Sequence, residues 1–333
     1  MQKFITNLLT SFINKKWSGK NIKFCPRIYS NLFFEAKYVR ICCHSTKVPY
    51  NPPIIYKGEI SNFSKIKYII SLILLMLKNE TKMSPCNGCR HFEEQVVPTF
   101  SLEKNLDFIT LNQFKNCNSY CIYCGIDNKS RKEYTPILEV IKRLDDSNLI
   151  SENVLFNWGG GEPTLCPEFD DILDFLYSKN YRQAVNSSGI IFSEKILEGM
   201  KKRLISIQIS PDAGTRETYQ TIKKQDNFSK VWENIKKYSA YPEELFVKYI
   251  VFSMNSDKNE IEKFVEMCKN YDVKNIVVDC EFNSMHGNQS LFGKISEKEI
   301  QAAKLLKKLA EDAGINISIS HQWSSDALKE ITN

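Results

Sequence analysis

Three cysteines in one short loop are the residues most able to do chemistry. They lie in Asn116-Cys117-Asn118-Ser119-Tyr120-Cys121-Ile122-Tyr123-Cys124-Gly125, with the spacing C-x3-C-x2-C. Thiolates are the usual ligands of iron–sulfur clusters, and a loop this short can wrap three of them around one cubane. Three ligands for four irons leave one iron open to a substrate or cofactor, which a four-cysteine electron carrier does not offer. A structural zinc knuckle with a fourth ligand elsewhere is the alternative. A second constellation follows about 35 residues later, where Val154-Leu155-Phe156-Asn157-Trp158 runs into Gly159-Gly160-Gly161-Glu162-Pro163-Thr164. Glycine lets a backbone approach a ligand closely and adopt positive φ, and Glu162 adds a carboxylate. Small polar residues recur at two further strand ends, in Asn186-Ser187-Ser188-Gly189 and Ser210-Pro211-Asp212-Ala213-Gly214.

The elements that must position these residues are legible as short β-branched and aromatic runs. Strands are predicted at 106–113, 154–158, 181–187, 204–210, 245–252, 275–280 and 315–320. Phe169, Ile172, Leu173 and Leu176 follow helical spacing, as do Ile261, Phe264, Val265 and Cys268. Ser296 and Glu299 read as a capping box ahead of a further helix, with Gly314 at its C′ position. Strands alternating with helices imply a parallel sheet with right-handed crossovers, enough for a full or partial β/α barrel. In such barrels the site lies at the C-terminal strand ends, where the motifs above fall.

Together the cysteine loop, its aromatic Tyr123 and the glycine turn resemble the signature of the radical S-adenosylmethionine (radical SAM) superfamily. The matches keep a consistent order over roughly residues 104–290. The resemblance implies an α/β fold with a partial (β/α)6-type barrel, over residues 101–333, and a [4Fe–4S] cluster on Cys117, Cys121 and Cys124. It implies that S-adenosylmethionine binds the open iron, with Tyr123, Gly160, Gly161, Glu162, Ser187, Ser210, Asp212 and Lys248 as cofactor-binding residues and Ile276–Val278 near adenine. The expected activity is reductive cleavage of S-adenosylmethionine to a 5′-deoxyadenosyl radical that abstracts hydrogen from a substrate. The substrate is a peptide or protein on this reading; a sugar or sugar nucleotide, or a non-catalytic iron–sulfur or zinc protein, are the alternatives. Expected partners are a flavodoxin- or ferredoxin-like electron donor and the substrate. Cys280, at a strand end, is a candidate hydrogen-atom donor.

Residues 1–100 read as a separate cysteine-rich module. Phe24-Cys25-Pro26, a run ending in Cys42-Cys43-His44, and Pro85-Cys86-Asn87-Gly88-Cys89 have the cadence of the auxiliary-cluster module known as SPASM or twitch, placed here before the barrel. That likeness implies a second [4Fe–4S] cluster on Cys25, Cys42, Cys86 and Cys89, with Cys43 as the alternative to Cys42. Zinc on the same thiols is the other reading, and His44 or His91 can replace a thiol. Cys268 and Cys166 are read as packing residues, and His286 as exposed.

Composition sets the bounds. The chain has 333 residues, 42% hydrophobic and 25% charged, enough for a sizeable core. Eleven cysteines, several of them two or three residues apart, point to metal and a reducing compartment rather than to disulfides. A net charge of +6 without a dense basic tract gives no reason to expect nucleic acid. The most apolar stretch, 68–77, is about half of a membrane span. The expectation is a cytoplasmic protein without a membrane span.

Overall fold

The computed structural model describes residues 2–41, 53–87, 89, 91–126, 130–280, 295–320, 323 and 325–332. Cys42, Cys43, His44 and His286 lie outside the described residues. The chain divides into two compact units: Met1–Lys115 with Lys132–Gly160 and Asp170–Arg182, and Asn116–Arg131 with Gly161–Phe169 and Gln183–Asn333.

In the first unit the elements run α1 (Gln2–Trp17), β1 (Asn21–Phe24), α2 (Arg27–Ser30), β2 (Asn31–Glu35), β3 (Tyr38–Arg40), β4 (Ile54–Lys57), α3 (Lys65–Asn79), β5 (Glu93–Val96), β6 (Leu106–Asn112), α4 (Leu138–Asp146), β7 (Ile150–Trp158) and α5 (Phe169–Ser178). Strands β7, β6 and β2 are parallel neighbours, and β3 and β4 continue the sheet antiparallel. β1 and β5 form a separate antiparallel ribbon. Leu32 and Phe34 of β2 are buried against the sheet beside Ile109 and Leu111 of β6, so residues before 100 complete the same core as residues after it. Burying these side chains favours one continuous sheet over two small units.

The second unit alternates strand and helix: β8 (Arg182–Ser187), α6 (Glu194–Lys201), β9 (Ile205–Ile209), α7 (Arg216–Lys223), α8 (Phe228–Tyr238), β10 (Leu245–Val251), α9 (Lys258–Asn270), β11 (Asn275–Cys280), α10 (Glu297–Asp312), β12 (Asn316–Ile319) and α11 (Ser325–Thr332). From β8 to β12 each strand pairs in parallel with the next. This is the order that short crossover helices dictate. Local chemistry sets the ends. Ser296 Oγ accepts from Glu299 N at 3.4 Å while Glu299 Oε2 accepts from Ser296 N at 2.6 Å, which is the expected capping box of α10. Gly314 follows the C-cap at φ +69°. Val231, Trp232, Ile235, Tyr249 and Phe264 supply a buried aromatic and aliphatic core, with the Tyr249 and Phe264 rings 4.5 Å apart. Among the described residues no helix is long and apolar enough to cross a membrane.

Candidate active site

The cysteine loop leaves β6 and enters the second unit, where backbone bonds fix its shape. Ile122 N donates to Ile222 O at 2.9 Å and Tyr120 N to Lys223 O at 3.3 Å, so the loop runs along the last residues of α7. Arg131 donates to the Cys117 and Ser119 carbonyls at 2.9 and 2.8 Å, and its guanidinium stacks 4.0 Å from the Tyr120 ring. Gln225 donates to Ser119 Oγ at 2.6 Å. None of these bonds uses a cysteine sulfur. The three thiols are left half-buried on a clamped loop, and each of Cys121 and Cys124 bears electrostatically on Cys117.

Burial pushes the Cys117 thiol up to about 11 and raises Cys124 as well; Arg131 and Lys223 pull Cys124 back toward ionisation. Metal ligation needs the thiolate. Two buried or stacked cations beside the loop offset part of the cost of gathering three such charges. Among the described residues no set of three His, Cys, Asp or Glu side chains converges as a single metal ion requires. Thiols around a cubane each face a different iron and need not converge. This loop fits the larger cluster on chemical grounds: three thiols, mutual electrostatic influence, and cations nearby.

Glu162 is 2% exposed. Its Oε1 accepts from Ser187 Oγ at 2.9 Å and Thr164 Oγ1 at 3.0 Å, and its Oε2 from Ser188 N at 2.7 Å. Glu162 N in turn donates to Asn116 O, one residue before Cys117, at 2.8 Å. The Glu162 backbone is thus tied to the cysteine loop, and Ser187 orients its carboxylate. Ser188 Oγ also bonds Asn118 Oδ1 at 3.0 Å, leaving buried Asn118 Nδ2 without a partner among the described residues. A buried donor left open beside the cysteines is what a polar cofactor would satisfy.

Gly160 lies at φ +84°, at the end of the turn after β7. A Cβ there would sit 1.9 Å from Asn112 Oδ1 and 2.6 Å from Phe114 O. Only glycine fits, for both conformational and steric reasons. Gly160→Ala is expected to lower stability by about 1–3 kcal/mol, read as a lower urea midpoint. An unchanged midpoint would show that the turn relaxes without cost.

Asp212, 0% exposed, takes the left-handed region at φ +56°. Its Oδ1 accepts from Ile250 N at 2.8 Å; its Oδ2 accepts from Tyr123 Oη at 2.7 Å and Lys223 Nζ at 2.5 Å. Lys223 Nζ also bonds Tyr123 Oη at 2.7 Å. Burial alone would pull Lys223 down, yet the charge of Asp212 holds it above the ordinary lysine value. Burial, then Asp212, drives the Tyr123 hydroxyl well up, so it stays protonated. The Tyr123 ring stacks on Phe252 at 5.3 Å. Both Asp212 oxygens are engaged, so this residue positions Tyr123 and the loop. Glu260 supports the turn by accepting from Gly214 N at 2.6 Å and Thr215 N at 3.0 Å. Asn255 Nδ2 donates to Asp212 O at 2.8 Å. Lys223, Glu260 and Asn255 escape a motif reading. Lys223 sits in Ile222-Lys223-Lys224-Gln225, where nothing local separates a buried lysine from its exposed neighbour.

Ser210 is half-buried just beyond β9. Lys248 lies on β10, its Nζ 3.9 Å from Asp279 Oδ2. Burial raises Asp279 and Lys248 opposes the shift. Register pairs Ile250 with Asp279 and Val251 with Cys280. Ile250 packs in the cluster that includes Tyr123 and Phe252, whereas Tyr249, on the other face, meets Phe264 of α9. Strand alternation therefore points Cys280 toward the helix layer and away from the Tyr123 side. This packing accounts for its burial without a role as hydrogen-atom donor. Ile276 and Val278, also on that alternate, are buried in the core. Cys166 and Cys268 are buried, in keeping with packing roles.

In the first unit, the β1–β5 ribbon pairs Phe24 with Glu93, and Cys25, next in the chain, lies close enough to Cys89 to feel its charge. Cys89 N donates to Cys86 O at 3.1 Å. Burial, with a contribution from Cys89, raises the Cys25 thiol. Three of the expected auxiliary ligands thus share one region; Cys42 and Cys43 lie outside the described residues.

Residues 111–268 match the sequence profile described as the Radical SAM superfamily. Over those residues the chain is similar to the radical SAM superfamily. The match begins at the end of β6 and reaches α9, covering the cysteine loop, the glycine turn and the Asp212 turn. Molybdenum cofactor biosynthesis protein moc-5 of Caenorhabditis elegans is 25% identical over 194 residues, 55% of this chain and 31% of that protein. GTP 3′,8-cyclase of Clostridium botulinum is 21% identical over 176 residues, 51% of this chain and 55% of the enzyme. The chain thus spans about a third to a half of the length of these curated relatives. Among solved structures, Streptococcus suis SuiB bound to precursor peptide SuiA superposes with a TM-score of 0.53 at 11% identity, covering 93% of this chain and 75% of SuiB. That likeness is one of fold, an α/β partial barrel.

Proposed function

We propose that this chain is a radical SAM enzyme that holds a [4Fe–4S] cluster on Cys117, Cys121 and Cys124 and modifies a peptide or protein. The single observation that carries the reading is the Glu162 tie: a buried carboxylate bonded through Ser187 and Ser188, whose own N–H is anchored one residue from Cys117. Bound there, the cluster supplies the electron that cleaves S-adenosylmethionine to a 5′-deoxyadenosyl radical able to remove hydrogen from a substrate. The chain's own residues bind and orient. Glu162 offers its carboxylate to the cofactor's ammonium group, Gly160 and Gly161 let the backbone approach it, and Tyr123 is held flat against Phe252 by Asp212 and Lys223. Ser187 positions Glu162, Ser210 just beyond β9 offers a hydroxyl to the cofactor's ribose or carboxylate, and Lys248 with Asp279 lines the same strand face as Ile250. A flavodoxin- or ferredoxin-like donor supplies electrons.

The peptide substrate is supported by the SuiB likeness, which runs over most of this chain, whereas the GTP cyclases match about half of it. A second [4Fe–4S] cluster on Cys25, Cys86, Cys89 and either Cys42 or Cys43 is supported by the way the β1–β5 ribbon gathers the first three.

Glu162→Ala tests the cofactor assignment. A charge-assisted hydrogen bond is worth about 1.5–3 kcal/mol, so S-adenosylmethionine should bind roughly tenfold to a hundredfold more weakly. The anaerobically reconstituted variant should keep its cluster absorbance and release less 5′-deoxyadenosine under reduction. Undiminished binding and cleavage would count against the role.

A further inference from the structure

We propose that the first unit docks on an anionic lipid surface through the outer faces of α1 and α3. Phe4, Leu8 and Phe12 recur at i, i+4 and i+8 on α1 and are 73%, 61% and 45% exposed. Ile70, Leu74 and Leu77 recur at i, i+4 and i+7 on α3 and are 43%, 61% and 37% exposed. The two helices pack against each other. Their inner faces already serve the core, through Ile13 and Trp17 on α1 and Tyr68, Ile69, Leu72, Leu75 and Met76 on α3. The outer stripes are therefore surplus to folding, where a surface helix ordinarily carries polar residues.

Charge identifies the occupant. α1 contains Lys3, Lys15 and Lys16 and α3 contains Lys65, Lys67 and Lys78; neither helix contains an aspartate or glutamate. Lys3, Lys15 and Lys78 are exposed, as are Lys20 and Lys82 just beyond the helix ends. Glu80, past the end of α3, is already paired with Lys16 at 3.2 Å and accepts from Trp17 Nε1 at 2.6 Å, and Glu103 bears electrostatically on Lys65. An apolar stripe with exposed lysines and no carboxylate on its helices is complementary to acyl chains beneath anionic headgroups. A second copy docking through the same face would set lysine against lysine. At about 1.5 Å per residue, α1 is too short to span a bilayer and suits a position in the interface plane.

The test is co-sedimentation of the full chain with phosphatidylcholine vesicles and with vesicles also containing phosphatidylserine. Pelleting is expected with the anionic vesicles, reduced at high salt and on neutral vesicles. Leu8→Asp/Leu74→Asp should abolish it while leaving the thermal unfolding temperature within a few degrees of the parent, since both side chains lie outside the core. Lys3→Gln/Lys15→Gln/Lys78→Gln should weaken it. Failure of the parent to pellet with anionic vesicles, or equal pelleting of the Leu8→Asp/Leu74→Asp variant, would overturn the proposal. So would a dimer in the parent, by analytical ultracentrifugation, that this variant loses, because the face would then belong to a second copy.

Discussion

Replacing Cys117, Cys121 and Cys124 with alanine is expected to remove about four irons per chain after anaerobic reconstitution. The loss should report ligand removal and not unfolding. Apart from the 3.4 Å bond from Ser119 N to Cys117 Sγ, the bonds that shape the loop run from Ile122 N, Tyr120 N, Arg131 and Gln225, and survive all three substitutions. The same variant examines the first unit. If Cys25, Cys86, Cys89 and one of Cys42 or Cys43 hold a second cubane, about four irons should remain, with a [4Fe–4S] signal by electron paramagnetic resonance after reduction. Stoichiometric zinc without residual iron would replace that second cluster with a structural zinc site. Iron content equal to the parent's would remove the catalytic cluster from this loop.

Lys223→Met carries the other large expected effect. Asp212 and Lys223 are 0% and 5% exposed at the side chain, so solvent does little to screen their interaction. Removing the ammonium leaves a buried carboxylate with, among the described residues, Tyr123 and the Ile250 N–H as its side-chain partners. Breaking one side of a buried pair typically costs about 3–5 kcal/mol. Urea unfolding of the variant should show a loss in that range. The double variant Lys223→Met/Asp212→Asn should recover part of it, since no charge remains to be buried. The variant should also lose iron faster to a chelator, because Tyr123 is released from the network that holds the cysteine loop. A loss below about 1 kcal/mol would mean that Tyr123 and the backbone already satisfy Asp212.

The likeness to the radical SAM superfamily is read from chemistry that is local in sequence. Three thiols fit within eight residues, Cys117 to Cys124, and the Gly159–Glu162 turn directly follows an apolar strand. β-branched runs give the strands, Ser296 with Glu299 gives the start of α10, and Gly314 its end; in each case the partners lie within a few residues, so short-range spacing encodes the geometry. What lies far apart in the chain was decided by tertiary structure. β2 pairs with β6 across 77 residues, which joins residues before 100 to the sheet where the sequence suggested a separate module. Cys25 reaches the Cys86–Cys89 turn only because β1 and β5 close a ribbon. Lys223 meets Tyr123 across 100 residues, and Glu260 meets Gly214 across 46. A lone lysine or glutamate on an amphipathic helix has the same local pattern whether it faces solvent or a buried partner. Its role is fixed by the burial that folding imposes and by the need to pair every charge so enclosed.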